Sequence, residues 1–443
     1  PSVFMPIPNR YYERVRGWTK WLQLGSIADT HVFKPITDKV RQVDHFGGYT
    51  AGAGHALYTA RRYPSEYWNR AAFVNGPTGH LTGTFVLTPE GSDFRSTSPF
   101  NLLASDDEWT APIVSEVGPD GNVWTIDWYN YIVQHNPTPH GFKTGKGAAY
   151  ETDLRDKTHG RIYRVSYGAE TAAEATTLGD ASQELLLETL KHSNMLWRLQ
   201  AQRLLIERDD RAVLPQLIAL VNDSTVDAIG LNVGAIHALW TMHGLGLLDG
   251  SHTAATSAAT AALRHPSPGV RRNAILVLPH HEDSARLLVA GGLANDRDAQ
   301  VRLAALLRLA DLPPTQKAGP LIVEVMQQAR NADDKWIPDA ATCAAANNSE
   351  AFLAAACSQD GASSALTAMA MTVASHYARG APDDGVAALG EQLVRAQPEM
   401  AGAIVQGLSQ GWPKDQPLAK SEGVTELVTR LLSHLPVSDR PLL

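Results

Sequence analysis

The chain has 443 residues, with 46 acidic against 38 basic side chains, 16 histidines and two cysteines, Cys343 and Cys357. That length allows two or three domains with real cores, and a formal charge of −8 argues against a nucleic-acid binder, which carries a basic stripe. Two cysteines cannot build a disulfide framework, no CxxCH haem-attachment or CxxC metal motif occurs, and no apolar run reaches the roughly 18 residues of a membrane helix.

The averages conceal a break. Residues 1–168 hold 25 of the 31 aromatic side chains and carry 17 basic and 16 acidic groups. Residues 169–443 carry 21 and 30 and are rich in Ala and Leu. A composition change this sharp reads as a domain boundary near Tyr167-Gly168. Pro1 opens the chain without an initiator Met or an apolar leader, and PSVFMPIPNRYYERV reads like the middle of a domain. The expectation is a chain that starts mid-domain, any export signal having been removed.

Up to Gly168 the period is that of short strands. Ala71–Asn75 ends at Gly76-Pro77, and His80–Leu87 alternates before Pro89-Glu90-Gly91. Ile113–Val117 and Asn122–Trp128 flank Gly118-Pro119-Asp120-Gly121, a turn in which Pro presets φ and Gly takes the positive φ. Gly160–Tyr167 is the last strand. Short strands with Gly/Pro punctuation and one Trp or Tyr each predict a propeller or barrel-like β architecture, with room for three to four blades at roughly 40–45 residues each.

Candidate site residues lie between and at the ends of these strands. His80, at the mouth of a strand, is a candidate general base toward a sugar hydroxyl, or a strand-end imidazole bonded to a backbone carbonyl. In Ser105-Asp106-Asp107-Glu108-Trp109, strand alternation places Asp106 and Glu108 on one face, where they could hold Ca²⁺ or hydrogen-bond a sugar stacked on Trp109. The alternative is a hydrated loop with an anchoring Trp. Asp127, after the apolar VWTI, is either a buried carboxylate accepting backbone N–H groups or, with Asn130, an oxygen ligand. Tyr129 and His135 would extend the same polar surface as substrate contacts. Arg155, Lys157 and Arg161 form a cationic cluster suited to a closing salt bridge or, as a resemblance to quinoprotein dehydrogenases implies, to holding cofactor carboxylates.

GPDGNVWTIDWYNYIVQHNPTP (118–139) and GKGAAYETDLRDKTHGRIYRVSY (145–167) carry a resemblance, supported by residues 41–87 and 102–121. They resemble the end of the β-propeller in the large membrane-bound dehydrogenases, or PVC-type haem-binding proteins, of planctomycetes and their relatives. The resemblance implies the late blades of a quinoprotein glucose or sorbosone dehydrogenase-like propeller, followed by HEAT repeats. It further implies pyrroloquinoline quinone (PQQ) and Ca²⁺ as cofactors, a sugar or polyol substrate, a c-type cytochrome as electron acceptor, and a periplasmic or cell-surface location. Members usually carry more propeller upstream and many a cytochrome domain downstream. The missing blades, or a partner chain, would therefore complete the structure.

After Gly168 the period becomes 3.6. A motif recurs from Trp197, Leu231, Val270, Val301 and Trp336, with Ala four residues on and an apolar residue three or four beyond that. In three copies Arg follows the first residue, as in Trp197-Arg198, Val270-Arg271 and Val301-Arg302. Spacings of 31 to 39 residues predict an α-solenoid of HEAT or armadillo-type helix pairs over 169–443, with Arg capping or bridging to the preceding unit. Cys343 and Cys357 read as buried thiols, and His280-His281-Glu282-Asp283 as a solvated turn. Two functions follow. One is a quinoprotein-like sugar or polyol dehydrogenase with a helical interaction domain. The other is a non-catalytic module that binds a glycan or a protein.

Overall fold

The structure is a computed structural model and describes residues 3–20, 25–40, 47–49, 52–133, 143–144, 150–151, 156–168, 176–382, 385–416 and 422–442. Two compact units emerge. The first comprises Pro1–Phe4, Leu24–Glu90 and Phe94–Asp210; the second comprises Met5–Gln23, Gly91–Asp93 and Arg211–Leu443. The strands end near the composition break, but the first compact unit runs on to Asp210. The reason is local packing. Asn194 Nδ2 donates to Gly118 O at 2.8 Å and Trp197 Nε1 to Pro119 O at 2.9 Å, so the start of the helix Met195–Glu207 is held by the Gly118–Gly121 turn.

In the first unit, β1 (Ala53–Leu57), β2 (Ala71–Gly76), β3 (Leu81–Glu90) and β4 (Asp93–Ala104) form a four-stranded sheet in sequence order. A three-stranded sheet has the order β5 (Pro112–Val117), β6 (Val123–Asp127), β9 (Arg161–Val165). β7 (Lys143–Thr144) pairs only with β8 (Tyr150–Glu151) among the described residues. Five of these strands follow the alternation in the sequence. β1 is short and weakly apolar, and β4 (DFRSTSPFNLLA) carries the run Ser96-Thr97-Ser98-Pro99, so its own pattern reads as loop.

The two sheets meet at β1 and β5, where a Cβ on Gly54 would sit 2.5 Å from Ile113 O and 2.8 Å from Val114 Cα. Only glycine permits that approach. A buried polar chain runs through the junction. Asn75 donates to Gly54 O and accepts from Thr82 Oγ1 (2.6 Å) and Ser115 Oγ (3.1 Å), and Ser115 in turn meets Thr125 Oγ1 at 2.9 Å. All four side chains are fully buried, so their mutual pairing removes a desolvation penalty that each alone would incur. Beside them Tyr58 and Tyr63 stack at 4.4 Å over Phe73 and Val123. Tyr58 OH donates to Gly121 O at 2.9 Å, and Tyr63 OH donates to Val165 O and accepts from Val123 N at 3.1 Å. One tyrosine-rich loop thus ties both sheets together. α2 (Gln183–Thr189) and α3 (Met195–Glu207) complete the unit.

The second unit is helical. Its helices are α1 (Asn9–Arg14), α4 (Leu214–Asn222), α5 (Val233–Gly244), α6 (Thr253–Ala262), α7 (Pro268–Val277), α8 (Glu282–Ala290), α9 (Ala299–Asp311) and α10 (Ala318–Gln327). They continue as the single turn α11 (Ala329–Ala332), α12 (Ile337–Asn347), α13 (Ser349–Cys357), α14 (Ser364–Ala378), α15 (Gly385–Leu393), α16 (Pro398–Gly411) and α17 (Glu422–His434). One row runs α5–α7–α9–α12–α14–α16, and a second row contains α4, α6, α8, α10, α13, α15 and α17. Paired helices in two rows are consistent with an α-solenoid.

The recurring motif has a clear physical role. Its alanines, Ala235, Ala274, Ala305 and Ala340, are all fully buried in the first row, where neighbouring helices touch. Its arginine reaches back to the turn before its own helix: Arg271 Nη1 donates to His265 O at 2.8 Å, and Arg302 Nη1 to Asp296 O at 2.8 Å. Arg198 in the first unit makes the same bond to His192 O at 2.6 Å. Each follows the carbonyl it serves by six residues. Arg271 also forms a two-pronged pair with Asp296 at 2.8 Å, in the turn before the next helix of the row. Where Arg is absent, Asn232 does the same work, donating to Asp223 O and Thr225 O. Gly407 and Gly411 let α16 lie directly on the backbone of α14 at Met371 and Ser375. Cys343 and Cys357 are buried, free thiols that burial pushes up to about 12.

Candidate functional site

His80, Asp127, Tyr129 and Arg161 surround one loop, Ser105–Ala111, between β4 and β5, which itself carries Asp106, Glu108 and Trp109. His80 closes the 3₁₀ turn Pro77–Gly79 in a left-handed conformation (φ 56°), is 4% exposed, and places Nδ1 2.6 Å from Thr110 O and Nε2 3.4 Å from Lys39 O. One residue on, Ala111 N donates to Asp127 Oδ1 at 2.6 Å, and the same oxygen accepts from Tyr129 N at 2.8 Å. That second bond stabilises the left-handed backbone of Tyr129 (φ 54°), unusual for a bulky residue. Trp128 N closes the ring of contacts by donating to Ala111 O at 2.9 Å.

Asp106 and Glu108 do not share a strand face, because Ser105–Thr110 is a turn. Ser105 Oγ accepts from Asp107 N and Asp107 Oδ1 from Trp109 N, each at 3.0 Å, so side chains compete with strand pairing for the local backbone. Asp106 is exposed, Glu108 pairs with Lys39 at 3.3 Å, and Asp107 pairs with Arg161 at 3.0 Å. Asn130 is spent on the backbone: Nδ2 donates to Asp156 O at 3.0 Å and Oδ1 accepts from Ile132 N at 3.1 Å. Arg161 lies 3.7 Å over the Tyr129 ring and donates to Tyr163 OH at 3.2 Å. Trp109 stands 5.9 Å from Tyr129 and 5.4 Å from Tyr131, completing an Arg–Tyr–Trp–Tyr stack. Lys157 is exposed in the turn that follows Asp156, while Arg155 and His135 lie outside the described residues. Asp156 is lowered to about 2, chiefly by hydrogen bonds from the backbone and hydroxyl of Thr158 and also by His159.

No group of three or more His, Cys, Asp or Glu side chains is placed to hold a metal ion among the described residues. Asp127 does keep one buried oxygen, Oδ2, without a hydrogen-bond partner, but Asn130 and Glu108 are turned to other partners. Arg161 is committed to Asp107 and Tyr129. Among the described residues, Glu108, Asn130 and Arg161 are thus each held by other side chains or backbone.

The surface that sequence reading missed is the outer face of β5-β6-β9. β6 and the residue after it alternate strictly, with Val123, Thr125 and Asp127 buried and Trp124, Ile126 and Trp128 exposed by 38%, 44% and 38%. The β6–β9 register is unbroken and sets Ile126 opposite Ile162, itself 66% exposed, and Trp124 opposite Arg164. The same register puts Arg161 and Arg164 on opposite faces. Two Trp roughly 13 Å apart along one strand, at ~3.3 Å per residue, with two Ile between them, make a flat apolar face. Arg164 and Glu116 lie at its rim, each paired in register with Trp124. Asp120 fixes the Trp124 ring by accepting from Nε1 at 2.9 Å and pairs with Arg164 at 2.5 Å. Burial would raise its carboxyl, but hydrogen bonds from Trp124, Asn122 and Arg164 outweigh this and hold it well below the usual carboxylate range. The alternation was legible as a strand, but not which face would be covered.

Residues 4–169 match a family model described as "Domain of unknown function (DUF7133)". No curated protein is similar to the chain. Among solved structures, one chain of the complex of CpcE and CpcF of phycocyanin lyase from Nostoc sp. PCC7120 is similar over 61% of this chain and 100% of its own, at 17% identity and a TM-score of 0.29.

Proposed function

We propose that this chain is a non-catalytic recognition and assembly module, in which the outer face of β5-β6-β9 docks an apolar protein surface. The observation that carries the reading is the Trp124–Ile126–Trp128–Ile162 face: contiguous exposed apolar patches on soluble proteins mark interaction sites. Two isoleucines at its centre favour a protein partner over a glycan, because aliphatic side chains offer no ring to stack on a sugar. The packing of sheets face to face, about 10 Å apart, makes another sheet the natural occupant, whether further blades or a partner chain. A photo-reactive phenylalanine analogue at position 162 tests this in the native cells. A discrete protein adduct is expected there, lost on Trp128→Ala and absent when the analogue replaces the isolated exposed Leu199. Equal labelling at 162 and 199 would refute the reading.

The second reading is an exported quinoprotein-like sugar dehydrogenase with a HEAT-type interaction domain, using PQQ and Ca²⁺ and passing electrons to a c-type cytochrome. It draws support from the family resemblance and from the four-stranded sheet β1–β4, which has the strand count of one propeller blade. Dye reduction with an aldose that depends on added PQQ and Ca²⁺ would establish it. The absence of cofactor dependence across a sugar panel would leave the docking reading standing alone.

A further inference from the structure

The second unit contains a segment that is not part of its helix pairs. Met5–Lys20 lies on the α9–α12–α14 row and buries Ile7, Tyr11, Tyr12 and Val15. Two carboxylates receive it in a similar way, each taking one tyrosine hydroxyl and cationic side chains of the segment, two arginines at Asp311 (Arg14, and Arg10 at 3.6 Å) and one lysine at Asp339. Asp311, at the end of α9, accepts from Tyr11 OH at 2.5 Å and pairs with Arg14. Asp339, in the first turn of α12, accepts from Tyr12 OH at 2.8 Å and pairs with Lys20 Nζ at 2.6 Å. Further along, His376 of α14 accepts from Arg16 N at 2.9 Å, and Gly17, at φ +78°, leaves room for the Arg379 guanidinium.

We infer that this row is a recognition groove for an amphipathic, aromatic and basic protein segment, and that the chain's own residues 5–20 occupy it as an internal ligand. The argument is complementarity. Asp339 is almost fully buried beside apolar α12 residues, an environment in which a carboxylate is costly unless it is paired. Its partners come entirely from the segment and not from the helices. α1 has only six residues, too few to be a stable helix alone, so its conformation is supplied by the groove. A partner segment with the same Tyr-Tyr and cation spacing would satisfy the same groups, and the internal copy would set the affinity it has to exceed through its high effective concentration.

The test uses the full chain. A fluorescently labelled peptide of residues 5–20 is titrated by anisotropy against the wild type, against Tyr11→Ala/Tyr12→Ala, and against the same double variant carrying Asp339→Asn. The peptide is expected to bind the double variant at least tenfold more tightly than the wild type, and adding Asp339→Asn should remove most of that gain. Circular dichroism checks that each variant keeps its helix content. Should Asp339→Asn impair folding, the peptide is varied instead: Tyr12→Phe and Lys20→Gln peptides should each bind the double variant several-fold more weakly than the parent peptide. Equal affinity for wild type and double variant, or no loss with either altered peptide, would overturn the inference.

Discussion

Replacing Arg271 with Ala removes the two-pronged pair with Asp296 and the bonds to His265 O and Pro266 O. Both partners are about nine-tenths buried, so the loss leaves an uncompensated carboxylate and an unserved His265 O, while Arg297 Nη2 still reaches Pro266 O at 3.3 Å. Breaking a buried pair from one side costs about 3–5 kcal/mol. The sign of a second change isolates the charge. Asp296→Asn keeps an acceptor for Asp298 N but carries no charge. In the wild type it should destabilise by about 1–3 kcal/mol, whereas on the Arg271→Ala background it should be neutral or stabilising, because the orphan charge is gone. Hydrogen exchange of α7 and α9 amides, with urea unfolding followed by circular dichroism, reads the local effect in a chain of two units that need not unfold together. If Asp296→Asn destabilises equally in both backgrounds, the stability lies in capping the turn and not in neutralising the charge.

Gly54→Ala should destabilise the first unit by about 1–3 kcal/mol, since the new Cβ meets backbone at Ile113 and Val114; Gly179→Ala, with open space around it, is the control for thermal melts. His376 is lowered to about 4 by burial and by the nearby Arg16, against 6.5 when unfolded. Its contribution is therefore complete above pH 6.5 and is lost as pH falls toward 4, about 3 kcal/mol in all. His376→Gln should flatten that limb of the pH–stability curve, and an unchanged curve would refute the assignment. His80→Ala should cost about 2 kcal/mol by orphaning Thr110 O and placing Ala at positive φ, and His80→Asn should cost less, as Asn tolerates that conformation. Differential scanning calorimetry separates them; equal losses would mean that backbone strain is not involved.

How far the site could be read depends on the residue. The Gly118–Gly121 turn behaves as its sequence demands, with Gly121 at φ 75° donating to Gly118 O at 2.9 Å. Asp127 as an acceptor of backbone N–H groups was visible from its place after an apolar strand. By contrast, the roles of Asp107, Glu108 and Arg161 depend on which distant residue each meets, at separations of 54 to 69 positions, and local pattern carries no such information. Residues 5–20 are the extreme case. NRYYER has no helical period long enough to register, and its conformation comes from carboxylates some 300 residues away.

Composition, period and turn chemistry by themselves determined the change from strands to helices, five of the seven strands in the two larger sheets, and the repeat with its buried alanines and capping arginines. These are local properties, set by side-chain spacing of two or 3.6 residues and by the needs of each turn. The extension of the first unit to Asp210, the threading of β4 into the first sheet, the row occupied by Met5–Lys20 and the uncovered face of β6 emerged only in three dimensions. Each depends on contacts between segments remote in the chain, where the energy comes from burial and pairing and the local sequence is free to look like loop.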